Sequence, residues 1–355
     1  MIPVHKQNIN YEVIDFCEKF KHSKQPKLIF GINEFANSIA EAMDIDGFID
    51  DYTTTTVHLG KPIYKTETIP KNALVVNVVI LGRPLTAKNK LNEQGVEHLD
   101  YFAFYKYSRL KLPNVTFWDG FIQDFDNNRS KYEWVYSILS DEQSKQEFEK
   151  IINFRLSYDL SNMHGFKNIQ DQQYFDAILN IATCDVFVDI GGFDGFTSRE
   201  FIKRNPHYKH IYFFEPDITN MEIAKELLKD FSGIQYYEMG LSNAKGNTNF
   251  CINGSSSKID SSGTKIIYVD RLDNIIFEPI QYIKMDVEGY ESSVLEGCEK
   301  IIKNYQPSLA VCAYHKPDDL WKIPEQVLSI NKSYKVYLRH YTEGITETVL
   351  YFLPD

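Results

Sequence analysis

The sequence predicts an α/β protein in which a large, doubly wound sheet follows a smaller α/β unit. Short apolar segments alternate with helix-like segments over residues 161–355, the pattern of a mainly parallel sheet covered by helices on both faces. The last two candidate strands are joined only by residues 341–346, too few for a crossover helix, so the final strand should run antiparallel. A separate alternation of strand and helix occupies residues 1–125.

The large unit, residues 161–355, is expected to contain seven strands. They are placed near residues 186–189, 211–214, 234–238, 281–286, 307–313, 334–338 and 348–353. Helices are expected near residues 172–182, 197–204, 218–229, 291–303 and 318–330.

Residues 1–125 are predicted to form a small Rossmann-like domain. Its expected strands are 27–30, 47–51, 73–80 and 115–118, with a helix at 35–43 and an aromatic segment, Tyr101–Tyr107, that fits either a helix or a strand. Gly31-Ile32-Asn33-Glu34 resembles a dinucleotide loop without its middle glycine, and Asp50-Asp51 follow the second strand. A structural role, including a homo-oligomer contact, is the alternative to nucleotide binding.

Residues 126–160 are predicted to be a helical bridge between the two units. The segment from Arg129 to about Ser157 has helical character, and Asp141 stands where it would cap a second helix that begins at Glu142.

Composition narrows the class of protein. Hydrophobic residues make up 43% and charged residues 25%, as in ordinary globular proteins. A net charge of -11 disfavours binding to the negatively charged backbone of DNA or RNA, so no nucleic-acid partner is expected. The longest apolar stretch, Ala73 to Leu81, is too short for a membrane span. The cysteines are scattered and form no Cys-x-x-Cys pair; they are Cys17, Cys184, Cys251, Cys298 and Cys312. Since the N-terminal residues also lack an apolar signal core, the protein is expected in the cytoplasm with its thiols reduced.

Residues 189–195, Asp-Ile-Gly-Gly-Phe-Asp-Gly, carry the strongest binding signal. They join a strand to a helix, and the next strand ends on Glu215. In a doubly wound sheet such glycines let the backbone approach a cofactor, and such an acid binds ribose hydroxyls. The pattern is Asp-x-Gly-x-x-x-Gly, with a leading acid, and not the Gly-x-Gly-x-x-Gly of a dinucleotide loop. It resembles motif I of S-adenosylmethionine-dependent methyltransferases. S-adenosylmethionine is therefore the expected cofactor; an NAD(P)-dependent oxidoreductase and a plain strand-helix turn are the alternatives.

A second motif lies in residues 282–291, Tyr-Ile-Lys-Met-Asp-Val-Glu-Gly-Tyr-Glu. With Val294–Gly297, it resembles the FkbM family of methyltransferases. Matching segments occur in the same order elsewhere, at Gln173–Phe175, Val188–Gly195, Phe214–Asp217, Gly240–Ser242, Arg271–Asp273, Tyr314–Pro317 and Leu338–Tyr341. The resemblance covers roughly residues 160–355, departs from a common Gly-Ala-Asn at Gly192-Phe193-Asp194, and implies a class I methyltransferase sheet.

The resemblance implies O-methylation, because the family mostly methylates sugar and polyketide-like hydroxyls. The expected acceptor is a sugar, either nucleotide-activated or part of a surface glycan, as in polysaccharide biosynthesis. Phe48–Asp51 and Gly60–Tyr64 also resemble the Rossmann-like domains of enzymes that act on nucleotide-activated sugars. Residues 254–263 are polar and are expected to form an acceptor-facing loop or a plain surface hairpin.

Ten residues are expected to contact the cofactor. Glu215 should bind the ribose, and Asp189 should lie near the methionine amino group or else brace the loop. The positions of Tyr174 and Phe175 beside the methionine end are implied by the resemblance alone. The full set is Tyr174, Phe175, Asp189, Gly191, Gly192, Gly195, Glu215, Leu241, Ser242 and Asp286.

A sugar hydroxyl is a poor nucleophile, so catalysis needs a base or a metal. Asp286 and His315 follow neighbouring strands and are expected to act as base and orienting group, or to share Mg or Mn with Glu288. Lys284 is a further catalytic candidate, with a structural ion pair as its alternative. For His315 the alternative is a hydrogen-bonded loop histidine. For Glu288 the alternative is a first-turn helix acid, which is the expected role of Glu291.

Overall fold

The computed structural model describes residues 1–5, 10–252, 254 and 257–355. Its helices are α1 (Tyr11–His22), α2 (Glu34–Ala42), α3 (Pro84–Gln94), α4 (Tyr101–Tyr107), α5 (Phe121–Ile138), α6 (Glu142–Ser157), α7 (Phe196–Arg204), α8 (Ile218–Leu227), α9 (Glu291–Gly297), α10 (Glu299–Tyr305) and α11 (Asp319–Ile330). Its strands are β1 (Lys27–Phe30), β2 (Gly47–Ile49), β3 (Val57–His58), β4 (Lys61–Tyr64), β5 (Leu74–Asn77), β6 (Glu97–Asp100), β7 (Val186–Ile190), β8 (His210–Phe214), β9 (Ile234–Tyr237), β10 (Gly240–Leu241), β11 (Gly246–Cys251), β12 (Lys258–Ile259), β13 (Lys265–Asp270), β14 (Tyr282–Met285), β15 (Ser308–Cys312), β16 (Lys335–His340) and β17 (Thr348–Leu353). No helix within the described ranges is both long and apolar enough to cross a bilayer.

The C-terminal sheet has the architecture that the sequence predicts. Its seven strands lie in the order β16-β17-β15-β14-β7-β8-β9. Strand β17 runs antiparallel to both of its neighbours, β15 and β16, whereas the other pairs are parallel. The central strands β7 and β14 are buried throughout, as near-continuous apolar strands should be when helices cover both faces. The predicted seven strands with a reversed last strand are confirmed.

The N-terminal sheet has six strands in the order β3-β4-β2-β1-β5-β6, all parallel except the β3–β4 pair. The aromatic segment Tyr101–Tyr107 is a helix, because the Asp100 side chain accepts a hydrogen bond from the amide of Ala103 and caps it. The predicted strand at 115–118 is wrong. Those residues form a turn in which Phe117 has a φ of 66° and the amide of Trp118 donates to the carbonyl of Val115.

Helices α5 and α6 connect the two sheets. Asp141 caps α6 by accepting from the amide of Ser144 at 2.8 Å, the role that its position predicts. The same carboxylate lies 2.6 Å from the guanidinium of Arg339 in β16, so the cap also fixes α6 against the sheet edge. Division of the chain at residues 1–125, 126–160 and 161–355 stays a prediction.

Two further expectations differ from the structure. The helix expected at 172–182 is wrong: short 3-10 turns at Gln170–Gln172 and Ile181–Thr183 flank an irregular segment in which Tyr174 has a φ of 69°. A small four-stranded sheet, β10-β13-β11-β12, was not predicted and lies in sequence between β9 and β14. The outward-facing residues of β13 include Ile266 and Tyr268, so the sequence lacks the alternation of apolar and polar residues that would have revealed this strand.

The loop between β16 and β17 joins the two units. The amide of Glu343 donates to the carbonyl of Gly82 at 3.0 Å, and the amide of Ile345 donates to the carbonyl of Leu81 at 3.2 Å. The Glu343 carboxylate accepts from the amide of Thr86 at 2.7 Å and so caps α3, whose own first residues supply no side-chain cap. A Cβ at Gly344 would lie 1.7 Å from the carbonyl oxygen of Leu81, so only glycine permits this approach.

His340, at the end of β16, should make stability sensitive to acid. Its ring contacts Thr348 Oγ1 at 2.9 Å and the carbonyl of Gly344 at 3.1 Å, and burial lowers its pKa from 6.5 to about 3. The neutral form is favoured in the fold, so its contribution is complete above pH 6.5 and is lost as the pH falls towards 3.

As the pH falls from about 6 to about 5, we expect the unfolding free energy of the wild type to decrease by about 1.4 kcal/mol per pH unit more than that of His340→Gln. Denaturant unfolding across that range measures both slopes. Parallel slopes for the two proteins would contradict a neutral, buried His340.

Candidate functional site

A cavity of about 950 Å³ opens at the carboxyl ends of β7, β8 and β14. Parallel α/β sheets bind ligands at this edge. Nine of the residues expected in the site line it, namely Tyr174, Phe175, Gly191, Gly192, Glu215, Leu241, Lys284, Asp286 and Glu288. Four others lie behind its wall, namely Asp189, Gly195, Ser242 and His315.

The glycine turn after β7 forms part of the cavity wall with backbone alone. A Cβ at Gly191, whose φ is 72°, would lie 1.8 Å from the carbonyl oxygen of Asp286. A Cβ at Gly192 would lie 2.2 Å from the ring of Phe213. Gly195 begins α7 with a φ of 84° and packs against Ala224 instead of facing the cavity. These positions therefore need glycine for close packing and for a left-handed turn.

Glu215 follows β8 and lies 95% buried beside the glycine turn, since only 5% of it is exposed. One carboxylate oxygen accepts from the amide of Phe193 at 3.0 Å and the other from that of Asp217 at 2.8 Å. Burial raises the pKa of Glu215 above its ordinary value. Each carboxylate oxygen can accept a second hydrogen bond, which suits a pair of ligand hydroxyls.

Residues 240–242 lead from the cavity into the small sheet. Leu241 lines the cavity. Ser242 is buried outside it, with its amide donating to the carbonyl of Asp270 at 2.9 Å and its hydroxyl 3.3 Å from Asn243 Oδ1. The described part of the loop at 254–263 borders the cavity through Gly254, Ser257, Lys258 and Ile259, whereas 255 and 256 lie outside the described residues.

Lys284 and Asp189 form a buried pair beneath the glycine turn. Their charged atoms are 3.2 Å apart, and the other Asp189 oxygen accepts from the hydroxyl of Ser198 at 2.7 Å. Lys284 Nζ also donates to the carbonyl of Gly191. Burial alone would lower the pKa of Lys284, but the charges of Asp189 and Asp286 together with the hydrogen bond to Asp189 raise it overall. This pair braces the turn, as the alternatives of a loop-bracing Asp189 and an ion-paired Lys284 predict. Contact of Asp189 with the methionine amino group and a catalytic role of Lys284 stay predictions.

Tyr174 orients Asp286 at the end of β14. The Tyr174 hydroxyl donates to Asp286 Oδ2 at 2.8 Å, and the Tyr174 amide donates to the hydroxyl of Tyr351 at 3.1 Å. Burial, followed by the charge of Asp286, raises the pKa of Tyr174, so this hydroxyl stays a donor. Asp286 Oδ1 has no hydrogen-bond partner among the described residues. That oxygen is buried and faces His315 Nε2 at 3.6 Å.

His315 lies behind Asp286 at the centre of an acidic cluster. Its Nδ1 lies 2.9 Å from Glu291 Oε1, and its Nε2 lies 3.6 Å from both Asp286 Oδ1 and Glu288 Oε2. Burial lowers the pKa of His315, but Glu291 and then the other two carboxylates raise it to about 10. Without a bound cation the imidazole is therefore protonated; its Nδ1 donates to Glu291, and its Nε2 faces the other two carboxylates at 3.6 Å.

Glu291 has more than the helix-terminus role that its position in the sequence suggests. It is almost fully buried at the start of α9 and accepts from His315 and from the amides of Val287 and Gly289 at 3.2 and 3.3 Å. Its spacing in the Glu-Gly-x-Glu turn is the signal that could have indicated this role.

The cluster also fits a divalent metal. One ligand atom from each of Asp286, Glu288 and His315 lies within 4.8 Å of the other two. His315 Nε2 is buried without a hydrogen-bond partner in the described part of the chain. Its Nδ1 would donate to Glu291, the usual arrangement behind a metal-bound histidine. Two carboxylates and one imidazole suit Mn, and carboxylate oxygens suit Mg.

Two residues from distant segments, Glu347 and Phe117, also line the cavity and were missed by the sequence analysis. Glu347, in the β16–β17 loop, accepts from Gln173 and Gln170, and burial followed by the charge of Asp286 raises its pKa to about 7. The ring of Phe117 packs edge-on against those of His315 and Tyr314, with centroids 5.4 and 5.7 Å apart. No local pattern brings these segments together, so only the folded structure reveals them.

Left-handed backbone is concentrated around this cavity. Among the described residues, nine other than glycine have positive φ, and five of the nine line the cavity, namely Phe117, Tyr174, Phe193, Glu288 and Glu347. Such conformations cost energy and persist where a site requires them. Their position supports a functional role for the cavity.

Comparison with known proteins agrees with the geometry. Residues 185–339 match the family model of the methyltransferase FkbM domain. A crystal structure of a methyltransferase FkbM from Methylobacillus flagellatus KT is 23% identical, with a TM-score of 0.76 over 97% of this chain and 94% of that chain. That similarity shows a shared fold along nearly the whole length of both proteins. No curated protein sequence matches the chain at a significant level.

More distant structures share only part of the chain. An rRNA methylase from Streptococcus thermophilus is 18% identical, with a TM-score of 0.34 over 48% of this chain and 86% of that chain. Aeropyrum pernix fibrillarin, whose structure contains S-adenosyl-L-methionine, is 10% identical, with a TM-score of 0.34 over 49% of this chain and 69% of that chain. Residues 185–339 therefore match the FkbM methyltransferase domain, and the fold of the chain is similar to that of a methyltransferase FkbM.

Proposed function

We propose that the protein transfers a methyl group from S-adenosylmethionine to a hydroxyl oxygen of a sugar. The observation that supports this most is one continuous cavity, lined by Glu215 at one end and by Asp286 and Glu288 at the other. A buried acid beside a glycine turn suits a ribose, and an acidic cluster suits activation of a hydroxyl. The family match favours this over an NAD(P)-dependent oxidoreductase.

The cofactor is proposed to lie along the carboxyl ends of β7, β8 and β14. Glu215 would accept hydrogen bonds from the ribose hydroxyls, and Leu241 would contact the adenine. The methionine end would lie beside Tyr174 and the glycine turn. This orientation brings the sulfonium methyl towards Asp286, as an in-line displacement requires.

The acceptor hydroxyl must lose its proton as the new bond to carbon forms. Asp286 would accept that proton, with its Oδ2 held by the Tyr174 hydroxyl and its Oδ1 3.6 Å from His315 Nε2. His315 and Glu288 would fix the carboxylate and the acceptor by hydrogen bonds. A bound Mg or Mn would lower the pKa of the acceptor hydroxyl. The metal ligands would be Asp286, Glu288 and His315.

Replacement of Glu215 tests the cofactor site. Glu215→Ala should weaken binding of S-adenosylhomocysteine by about 1–3 kcal/mol, because buried ribose hydroxyls lose a charged acceptor. Calorimetry on the full chain measures this, with Glu222→Ala on the exposed face of α8 as a matched control that should bind normally. Binding of NAD, with none of S-adenosylhomocysteine, would sink the proposal.

Chelation separates the two ways of activating the acceptor. If a metal acts, EDTA should abolish methyl transfer and Mn or Mg should restore it, and Mn paramagnetic resonance should report binding that is lost in Glu288→Gln. Full activity in EDTA, with no Mn bound by wild type, would leave Asp286 as the unaided base.

A further inference from the structure

The N-terminal unit supplies one wall of the cavity. The residues involved are Glu34, Leu81, Gly82, Thr116 and Phe117. Glu34 begins α2 after the three-residue turn that follows β1, and Leu81 and Gly82 follow β5. The carboxyl edges of the two sheets therefore face the same space from opposite sides.

This wall is held in place and is not a loose lid. The two backbone bonds from Glu343 and Ile345 to Gly82 and Leu81 fix the segment after β5. The edge-on contact between Phe117 and His315 fixes the turn before α5. Groups of the N-terminal unit consequently have defined positions relative to Asp286.

The chemistry around the acceptor end does not suit phosphate. Its side chains include the carboxylates of Glu34, Asp286, Glu288 and Glu347. Among described residues that line the cavity, the basic ones are Lys258 and Lys284, and Lys284 is paired with buried Asp189. Without a bound metal, a diphosphate would meet mostly acidic side chains, at a cost that falls when the acceptor is neutral or positive.

The usual phosphate position of a Rossmann-like unit is also filled. Asn33 caps α2, since its Oδ1 accepts from the amide of Ala36 at 3.0 Å. Its Nδ2 donates to the carbonyl of Val78 at 2.9 Å and holds the side chain over the helix N-terminus. Backbone amides that bind phosphate in dinucleotide sites are thus partly satisfied here.

We propose that the acceptor is a saccharide without phosphate, neutral or amine-bearing, held between the two units by Phe117 and Glu34. The inference rests on the proposed sugar methylation and deepens it, because it favours a glycan or free sugar over a nucleotide-linked one. The half-buried Phe117 ring offers an apolar surface to a sugar ring, and the exposed Glu34 carboxylate accepts from hydroxyl or ammonium groups.

The test compares acceptors that share one sugar. The full-length protein is given labelled S-adenosylmethionine with the methyl glycoside, the amino sugar, the sugar 1-phosphate and the uridine diphosphate sugar. We expect the two unphosphorylated forms to have at least about tenfold higher kcat/KM, in line with the cost of an unmatched charge. A nucleotide-linked form that is used best would overturn the inference.

Variants assign the effect to the wall. Phe117→Leu, which keeps bulk but loses the flat ring, should raise KM for the acceptor by about tenfold and leave the Kd for S-adenosylhomocysteine unchanged. Glu34→Lys should improve use of the phosphorylated forms relative to the neutral one, whereas Glu41→Lys, on the same helix but outside the cavity, should not.

The outcomes also separate this inference from the proposed function. Equal acceptor KM for wild type, Phe117→Leu and Glu34→Lys would overturn the role of the wall while sugar methylation stands. No transfer to any saccharide, with S-adenosylhomocysteine still bound, would overturn the proposed function and this inference with it.

Discussion

Asp286→Asn is expected to lower methyl transfer by about two or more orders of magnitude, the usual effect of losing a positioned base or metal ligand. The amide preserves the size of the side chain and can still contact Tyr174, so the fold and the cavity should persist. Binding of S-adenosylhomocysteine should stay near the wild-type value, because Glu215 and the glycine turn hold the adenosine. Single-turnover rates and calorimetry measure the two effects separately.

Two comparisons make this result specific to Asp286. Asp185→Asn, at the amino end of β7, removes only an exposed ion pair with Lys209 and should leave turnover unchanged. Tyr174→Phe leaves the carboxylate but removes its 2.8 Å hydrogen bond, so a smaller loss of turnover is expected. If Asp286→Asn weakens cofactor binding as much as it slows transfer, Asp286 serves mainly to hold the cofactor.

Glu291→Ala is expected to destabilise the protein by about 3–5 kcal/mol, because it removes the partner of a fully buried histidine. It should also slow transfer, since His315 would lose the 2.9 Å contact that fixes its ring against Asp286 and Glu288. Glu291→Gln keeps the side-chain volume and should cost less stability. Denaturant unfolding provides the free energies.

Glu299→Ala is the matched control for Glu291. Glu299 is likewise in the first turn of a helix, α10, but is exposed, so its replacement should cost no more than about 1 kcal/mol. If Glu291→Ala and Glu299→Ala lower the unfolding free energy by equal, small amounts, Glu291 does not stabilise buried His315 and acts only as a helix-terminus acid.

Local sequence patterns were sufficient for the C-terminal sheet and for much of its binding edge. Buried parallel strands read as apolar runs, and a glycine turn followed by an acid at the end of the next strand is typical of a site that binds a ribose-containing cofactor. Gly191, Glu215 and Asp286 could therefore be assigned to one cavity before the fold was known. The reversed β17 followed from the length of one loop.

The remainder of the site depends on contacts between segments far apart in the chain. Phe117 reaches His315 from a turn that resembled a strand, because Val115, Phe117 and Trp118 are residues that strands favour. Tyr174 adopts a left-handed backbone that a pattern of apolar residues cannot reveal. Glu347 lines the same cavity as Asp286 because the β16–β17 loop folds back over it, where Gln170 and Gln173 donate to the Glu347 carboxylate.

The most direct test of sugar O-methylation is carbon NMR of the product formed from S-adenosylmethionine labelled in its methyl group. The protein is incubated with this cofactor and with an unphosphorylated saccharide. We predict a new methyl ether carbon on a sugar hydroxyl oxygen, absent with Asp286→Asn. Label that appears on nitrogen or carbon of the acceptor, or no transfer to any sugar by a protein that binds the cofactor, would contradict it.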